Sequence, residues 1–179
     1  MSLQHALLTS LLEKPASGYE LARRFDKSIG FFWHATHQQI YRELARMEAQ
    51  GWVKSVDFEG GRAGKRQFEV LPPGQAELKN WATSPSELTE MRDELLVKLR
   101  ADAVIGPLGL EQEIAQRLAL HQAKLAAYQA IEARDFSQPN PPREVQIRHL
   151  ILKAGIALEQ SRIAWATDAL ATLPMLHPD

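Results

Sequence analysis

The chain of 179 residues contains no cysteine. That excludes disulfide frameworks and thiolate metal sites, and makes a reducing compartment, the cytoplasm, the simpler expectation. Nor does any uninterrupted apolar run approach the ~18 residues of a membrane-spanning helix, so no membrane partner is expected. The opening stretch from Ser2 to Leu12 is apolar on one face only. It has neither a basic start nor a small-residue cleavage site, and is not read as a signal peptide. Also missing are a phosphate-cradling glycine loop ahead of a helix, a His-Glu-x-x-His pair and a Gly-x-Ser-x-Gly elbow. Carboxylates are scattered along helix surfaces and do not converge. Neither an enzyme nor a cofactor is expected.

What is present is a chain with an apolar fraction of 45 %, enough for a packed core. The net charge of -1 conceals an asymmetry. Residues 1–82 hold 11 Lys and Arg against 9 Asp and Glu, a net +2, while residues 83–179 hold 10 against 13, a net -3. A mildly basic N-terminal module binds nucleic acid if its cations cluster on one face.

Three short helical signals come first. Leu3, Leu7 and Leu11, with Leu8 and Leu12 beside them, make an apolar stripe that Pro15 ends. Ser17-Gly18-Tyr19-Glu20 is a capping-box pattern, followed by Leu21, Ala22 and Phe25 on one face. A second such pattern, Thr36-His37-Gln38-Gln39, precedes Ile40, Leu44 and Met47, and Gly51 stands where a glycine would end that helix. The period then falls to two in Val53-Lys54-Ser55-Val56 and Gln67-Phe68-Glu69-Val70, which read as strands. Their connector, Glu59 to Arg66, carries three glycines and three cations, a flexible basic hairpin tip. Leu71-Pro72-Pro73-Gly74 closes the sheet, and a fourth helix is expected from Gln75 to Ala82.

The remainder is helical. Thr83-Ser84-Pro85-Ser86 marks a boundary, with Ser86 as a helix cap ahead of Leu88, Met91, Leu95, Leu96 and Leu99. Gly106-Pro107 breaks that helix. A long one follows, carrying Leu110, Ile114, Leu118, His121, Leu125 and Tyr128 at spacings of three and four. After the loop from Ser137 to Pro142, a last helix runs from about Arg143 to Leu173. It has two apolar stripes: Val145, His149, Leu152, Ile156, Ile163 and Leu170, and Ile147, Ile151, Ala154, Leu158, Trp165 and Leu173. A helix apolar on two sides must bury both, and about three helices are too few to cover them. A second copy of the chain is therefore expected as partner, with Leu110, Ile114, Leu118, Leu152, Ile156, Ile163 and Trp165 at the interface.

The expected fold is mainly α with a small β-hairpin: an N-terminal winged helix-turn-helix over 1–83, and a C-terminal helical domain for dimerisation and effector binding over 84–179. In such a fold one helix enters the major groove, the helix before it braces the phosphate backbone, and the hairpin tip reaches neighbouring backbone or the minor groove. The helix beginning near Thr36 suits the groove. Facing away from its apolar side are His37, Gln38, Gln39, Arg42 and Arg46. Gln bonds adenine bidentately, and Arg bonds guanine or phosphate. Arg62, Lys65 and Arg66 at the tip are the natural phosphate contacts.

The stretch from His34 to Gly51 resembles the recognition helix of PadR-family regulators. Ser17-Gly18-Tyr19-Glu20-Leu21 is similar to that family's second helix, the basic tip with Phe68-Glu69-Val70-Leu71 to its wing, and Arg92 to Leu99 to the start of its longer C-terminal region. The resemblance covers nearly the whole chain. It implies a homodimeric regulator, usually a repressor, that binds double-stranded DNA at an inverted-repeat operator and changes its grip when a small-molecule effector binds. By position it makes Tyr41 the family's recognition-helix tyrosine, flanked by Gln38, Gln39 and Arg42, and adds Ser17, Tyr19 and Thr36 to the DNA side. Two departures are Phe68, where the family usually has tyrosine, and Leu71-Pro72-Pro73-Gly74, where Leu-Thr-x-x-Gly is usual.

The alternative function is a winged-helix protein-interaction module that binds no DNA. His34 and His37 have a spacing two metal ligands could use, but no third ligand stands nearby and no metal is expected. His121 and His149 lie on apolar stripes, where a buried, hydrogen-bonded histidine is the plain reading and a sensitive contact at the dimer seam the sharper one. Trp33, Trp81 and Trp165 serve as core or as the wall of an effector pocket.

Overall fold

The structure, a computed structural model, describes residues 3–26, 33, 35–57, 66–86 and 92–176. His34, Arg62, Lys65, Leu88 and Met91, singled out above, lie outside them. Seven helices and one hairpin follow in the order α1 (Leu3–Glu13), α2 (Gly18–Asp26), α3 (His37–Ala49), β1 (Val53–Asp57), β2 (Arg66–Val70), α4 (Pro72–Thr83), α5 (Glu94–Ile105), α6 (Glu111–Asp135) and α7 (Arg143–Leu176). They form two compact units, Met1–Thr89 and Glu90–Asp179.

In the first unit the leucine stripe of α1 meets the apolar faces of α2 and α3. Leu7, Leu8, Leu11, Leu21, Ala22, Phe25, Ile40, Leu44, Met47 and Val53 are all within 1 % of full burial. Each large side chain in that set contributes about 1.5–3 kcal/mol relative to exposure. β1 and β2 pair antiparallel, with Val53 opposite Val70 and Asp57 opposite Arg66. A single bridge from the Phe68 amide to the Ala16 carbonyl, 2.8 Å, ties this wing to the α1–α2 connection. This is the winged helix-turn-helix arrangement.

Two boundaries differ from expectation. α4 begins at Pro72, three residues early, because proline lacks the amide that a first-turn position leaves unpaired anyway. The described part of the next helix begins at Glu94, where the Asp93 carboxylate accepts from the Leu95 amide at 3.0 Å; Ser86 is not its cap.

In the second unit α6 and α7 run antiparallel. His121 faces Glu159 and Glu132 faces His149 across them. Leu95, Ile114 and Ala166 are the buried centre, packed by Leu99, Leu110, Leu118, Ala169, Leu170 and Leu173. α7 has 34 residues, so it is about 51 Å long at 1.5 Å per residue, far longer than this small core.

Candidate nucleic-acid interface

Both helices of the helix-turn-helix start on a closed capping box. At α2 the Glu20 amide donates to Ser17 Oγ at 3.3 Å, and the Ser17 amide to Glu20 Oε2 at 3.1 Å. At α3 the Gln39 amide donates to Thr36 Oγ1 at 3.2 Å, and the Thr36 amide to Gln39 Oε1 at 2.8 Å. Such boxes satisfy amides that otherwise have no partner, and so fix where each helix begins. His37 braces the pair, its Nε2 lying 3.0 Å from Asp26 Oδ2 at the end of α2. The end of α3 is equally defined. Gly51 has φ +70°, and the Gly51 and Trp52 amides return to the carbonyls of Glu48 and Met47. That left-handed turn aims the chain into β1.

With Ile40, Leu44 and Met47 buried, the opposite face of α3 is dictated by helical periodicity. Gln38 and Arg42 stand at its middle, exposed and with no side-chain partner among the described residues. Arg46 is exposed and held by Glu43 at 3.2 Å. Gln39 is exposed too, but its carbonyl end belongs to the cap; only its NH2 end remains for a ligand. Tyr41 is 47 % exposed, and its ring lies over Gly18, where an added Cβ would come within 2.4 Å of Cε1. This glycine is what lets α2 and α3 approach. Tyr19 is exposed, with the Arg23 guanidinium 5.7 Å from its ring centroid. Of the expected wing cations Arg66 is described, exposed at the foot of β2.

Supporting groups hold this surface rigid, and two of them carried no sequence signal. Arg24 Nη2 donates to the carbonyls of Ser10 and Lys14, both at 2.6 Å, finishing the end of α1. Glu48, in the last turn of α3, accepts from the Ser55 hydroxyl at 2.5 Å and amide at 2.9 Å, locking α3 to β1. Those two bonds hold its pKa below the ordinary carboxylate value. Chemically the surface offers neutral amides, guanidinium groups and phenols on a fixed frame, a donor set for base edges and phosphates.

Comparison with known proteins agrees. Residues 7–80 match the transcriptional regulator PadR-like family, and residues 91–174 match the virulence activator alpha C-terminal family. A probable transcriptional regulator of Mycobacterium tuberculosis is 38 % identical over 185 residues, covering 97 % of this chain and 98 % of that protein. The chain belongs to the PadR-like family of transcriptional regulators. Among solved structures it is similar to the Vibrio cholerae virulence activator AphA, with TM-score 0.84, 32 % identity and coverage of 98 % of this chain and 100 % of that one. It is also similar in fold to Bacillus subtilis PadR solved with operator DNA, with TM-score 0.80, 23 % identity and coverage of 95 % and 98 %. The same Bacillus protein has been solved with p-coumaric acid. Family membership makes this protein a transcriptional regulator and not an enzyme.

In the second unit of this PadR-like chain, the residues expected at a dimer interface divide. Ile114 is fully enclosed by its own protomer, with Leu110 and Leu118 packed beside it. Leu152, Ile156 and Ile163 are half-buried, and Trp165 is 41 % exposed. Leu120, Leu150, Ile151 and Leu158 are exposed apolar groups on α6 and α7. Ile151 and Leu158 belong to one of the two apolar stripes of α7, while Leu120 and Leu150 fall outside the stripes. His121 and His149 are half-buried and bonded, each 2.6 Å from a glutamate; Phe136 stacks on His149 at 4.7 Å. Trp33 packs on the first core, Trp81 stacks on His5 at 4.5 Å, and Trp165 lies in the other unit. Among the described residues no group of three or more His, Cys, Asp or Glu could hold a metal ion, and no helix is long and apolar enough to cross a membrane.

Proposed function

We propose that this chain is a cytoplasmic, homodimeric repressor that binds an inverted-repeat operator with α3 in the major groove and loosens its hold when a small molecule binds. The observation that carries the reading is the free face of α3. Gln38 and Arg42 project from a helix whose other side is sealed into the core and whose two ends are pinned. Gln38 suits adenine, and Arg42 suits guanine or a phosphate. Ser17, Tyr19, Thr36, His37, Gln39, Tyr41 and Arg46 then border the duplex, with Arg62, Lys65 and Arg66 following its backbone. The operator complex of Bacillus PadR supports this, since that protein shares the fold.

The dimer rests on the second unit. Its exposed Leu150, Ile151, Leu158 and Trp165 lie along a helix too long for its own core. Two-fold symmetry places half-sites about 34 Å apart, or a multiple of that. An effector site is supported by the p-coumaric acid complex of the Bacillus relative. Activation is the second reading of the regulatory sign, favoured by the 32 % identity to a protein named as an activator. A promoter–reporter measurement with and without the gene separates the two.

Fluorescence-anisotropy titration of labelled duplex at several salt concentrations tests DNA binding itself. Affinity is expected to fall steeply with salt, with a log–log slope of about -0.9 for each phosphate engaged. No binding, with a protein partner recovered instead, would move the function to a protein-interaction module.

A further inference from the structure

The first turn of α1 and the near edge of α3 enclose a groove of about 310 Å³, lined by Leu3, Gln4, Gln39, Arg42, Glu43 and Arg46. Gln4 is the unusual member. It is only 9 % exposed, yet its side chain has no hydrogen-bond partner among the described residues. Its stem is packed away while its amide borders the groove, so a donor and an acceptor stand ready there for a ligand.

The charge of the lining says what. Two guanidinium groups stand against one carboxylate, and that carboxylate, Glu43, is already held by Arg46 at 3.2 Å. The groove therefore favours an anion rich in acceptor oxygens. Arg42 belongs both to this lining and to the free face of α3, so the groove opens beside the surface assigned above to DNA. A duplex seated on α3 brings a phosphate wall to that place.

We propose that this groove holds one phosphate of the DNA backbone, with the Gln4 amide donating to it alongside Arg46. The inference rests on the DNA-binding reading and extends the interface from α3 onto α1. Because phosphate carries no sequence information, Gln4 strengthens the grip on every duplex equally.

The test is an anisotropy titration of a duplex of arbitrary sequence, about 30 base pairs long, at low salt, with the full-length protein and the variants Gln4→Glu and Gln4→Lys. Gln4→Glu is expected to weaken binding about tenfold. Gln4→Lys is expected to tighten it and to raise the magnitude of the salt slope by about one. Misfolding cannot mimic that gain. If wild type binds duplex and both variants stay within about twofold of it, the phosphate site is overturned while the DNA-binding reading stands. If wild type itself binds no duplex, both fall together.

Discussion

Replacing Glu159 by glutamine removes one charge from the seam between α6 and α7 and nothing from its shape. The carboxylate is 1 % exposed. Its Oε2 lies 2.6 Å from His121 Nδ1, and its Oε1 lies 3.1 Å from Lys124 Nζ and 3.7 Å from Arg162 Nη1. Burial pushes its pKa up, but the hydrogen bond from His121 and the interaction with Lys124 outweigh it, and the group sits below its ordinary 4.5. A hydrogen bond to a charged group contributes about 1.5–3 kcal/mol. Breaking a sealed ion pair costs about 3–5 kcal/mol. Here Lys124 and His121 keep 40 % and 24 % of their side-chain surface exposed and can rehydrate. The expected loss is therefore at the lower end, about 2 kcal/mol, or a fall in melting temperature of about 4–8 °C for a chain of this size. The native pKa is depressed, so the stabilisation is full above the unfolded-state value and is lost as pH falls through the native one. Denaturation of wild type and Glu159→Gln should differ at about pH 7, and the gap should close as pH falls through the depressed native value. Equal stability at neutral pH, or a gap that persists undiminished in acid, would mean that the Glu159 charge does not hold the seam.

Two glycines separate packing from function. A Cβ at Gly74 would meet the Trp52 carbonyl oxygen at 2.4 Å, and that oxygen already accepts from the Leu71 amide. Gly74→Ala must shift backbone and should cost about 1–3 kcal/mol by urea denaturation. Gly18→Ala meets the half-exposed ring of Tyr41, which can swing outward. Stability should change by less than about 1 kcal/mol, while duplex affinity in the anisotropy assay falls. Thr36→Ala opens the capping box of α3 and should cost about 1 kcal/mol by the same denaturation measurement.

The first unit was legible because its signals are local. Leucine spacing, two Ser/Thr-x-x-Glu/Gln boxes and one glycine after Ala49-Gln50 mark three helices without reference to anything distant. The wing strands show their period of two and are one residue longer than read, at Asp57 and Arg66. What the sequence hid depends on partners far along the chain. Pro72 reads as a turn residue until it stands first in a helix. Asp93 is an unremarked acid until the Leu95 amide turns toward it. Glu159 falls in register with Leu152, Ile156 and Ile163, and an acid on an apolar stripe is itself a signal, readable once His121 is known to lie opposite. Gln39 shows the reverse: its exposure was foreseen, but the cap it completes takes its carbonyl end. Gln4, between Leu3 and His5, has no pattern that announces its burial.

On the proposed function, the outward side chains of α3 read bases. Selection from a pool of random duplexes, with wild type and with Gln38→Ala and Arg42→Ala, tests it most directly. Wild type should enrich an inverted repeat. Each variant should relax preference at its own position in both half-sites, with a loss of about 1–3 kcal/mol on the selected site. Enrichment of the same sequence by all three proteins, at unchanged affinity, would contradict the account.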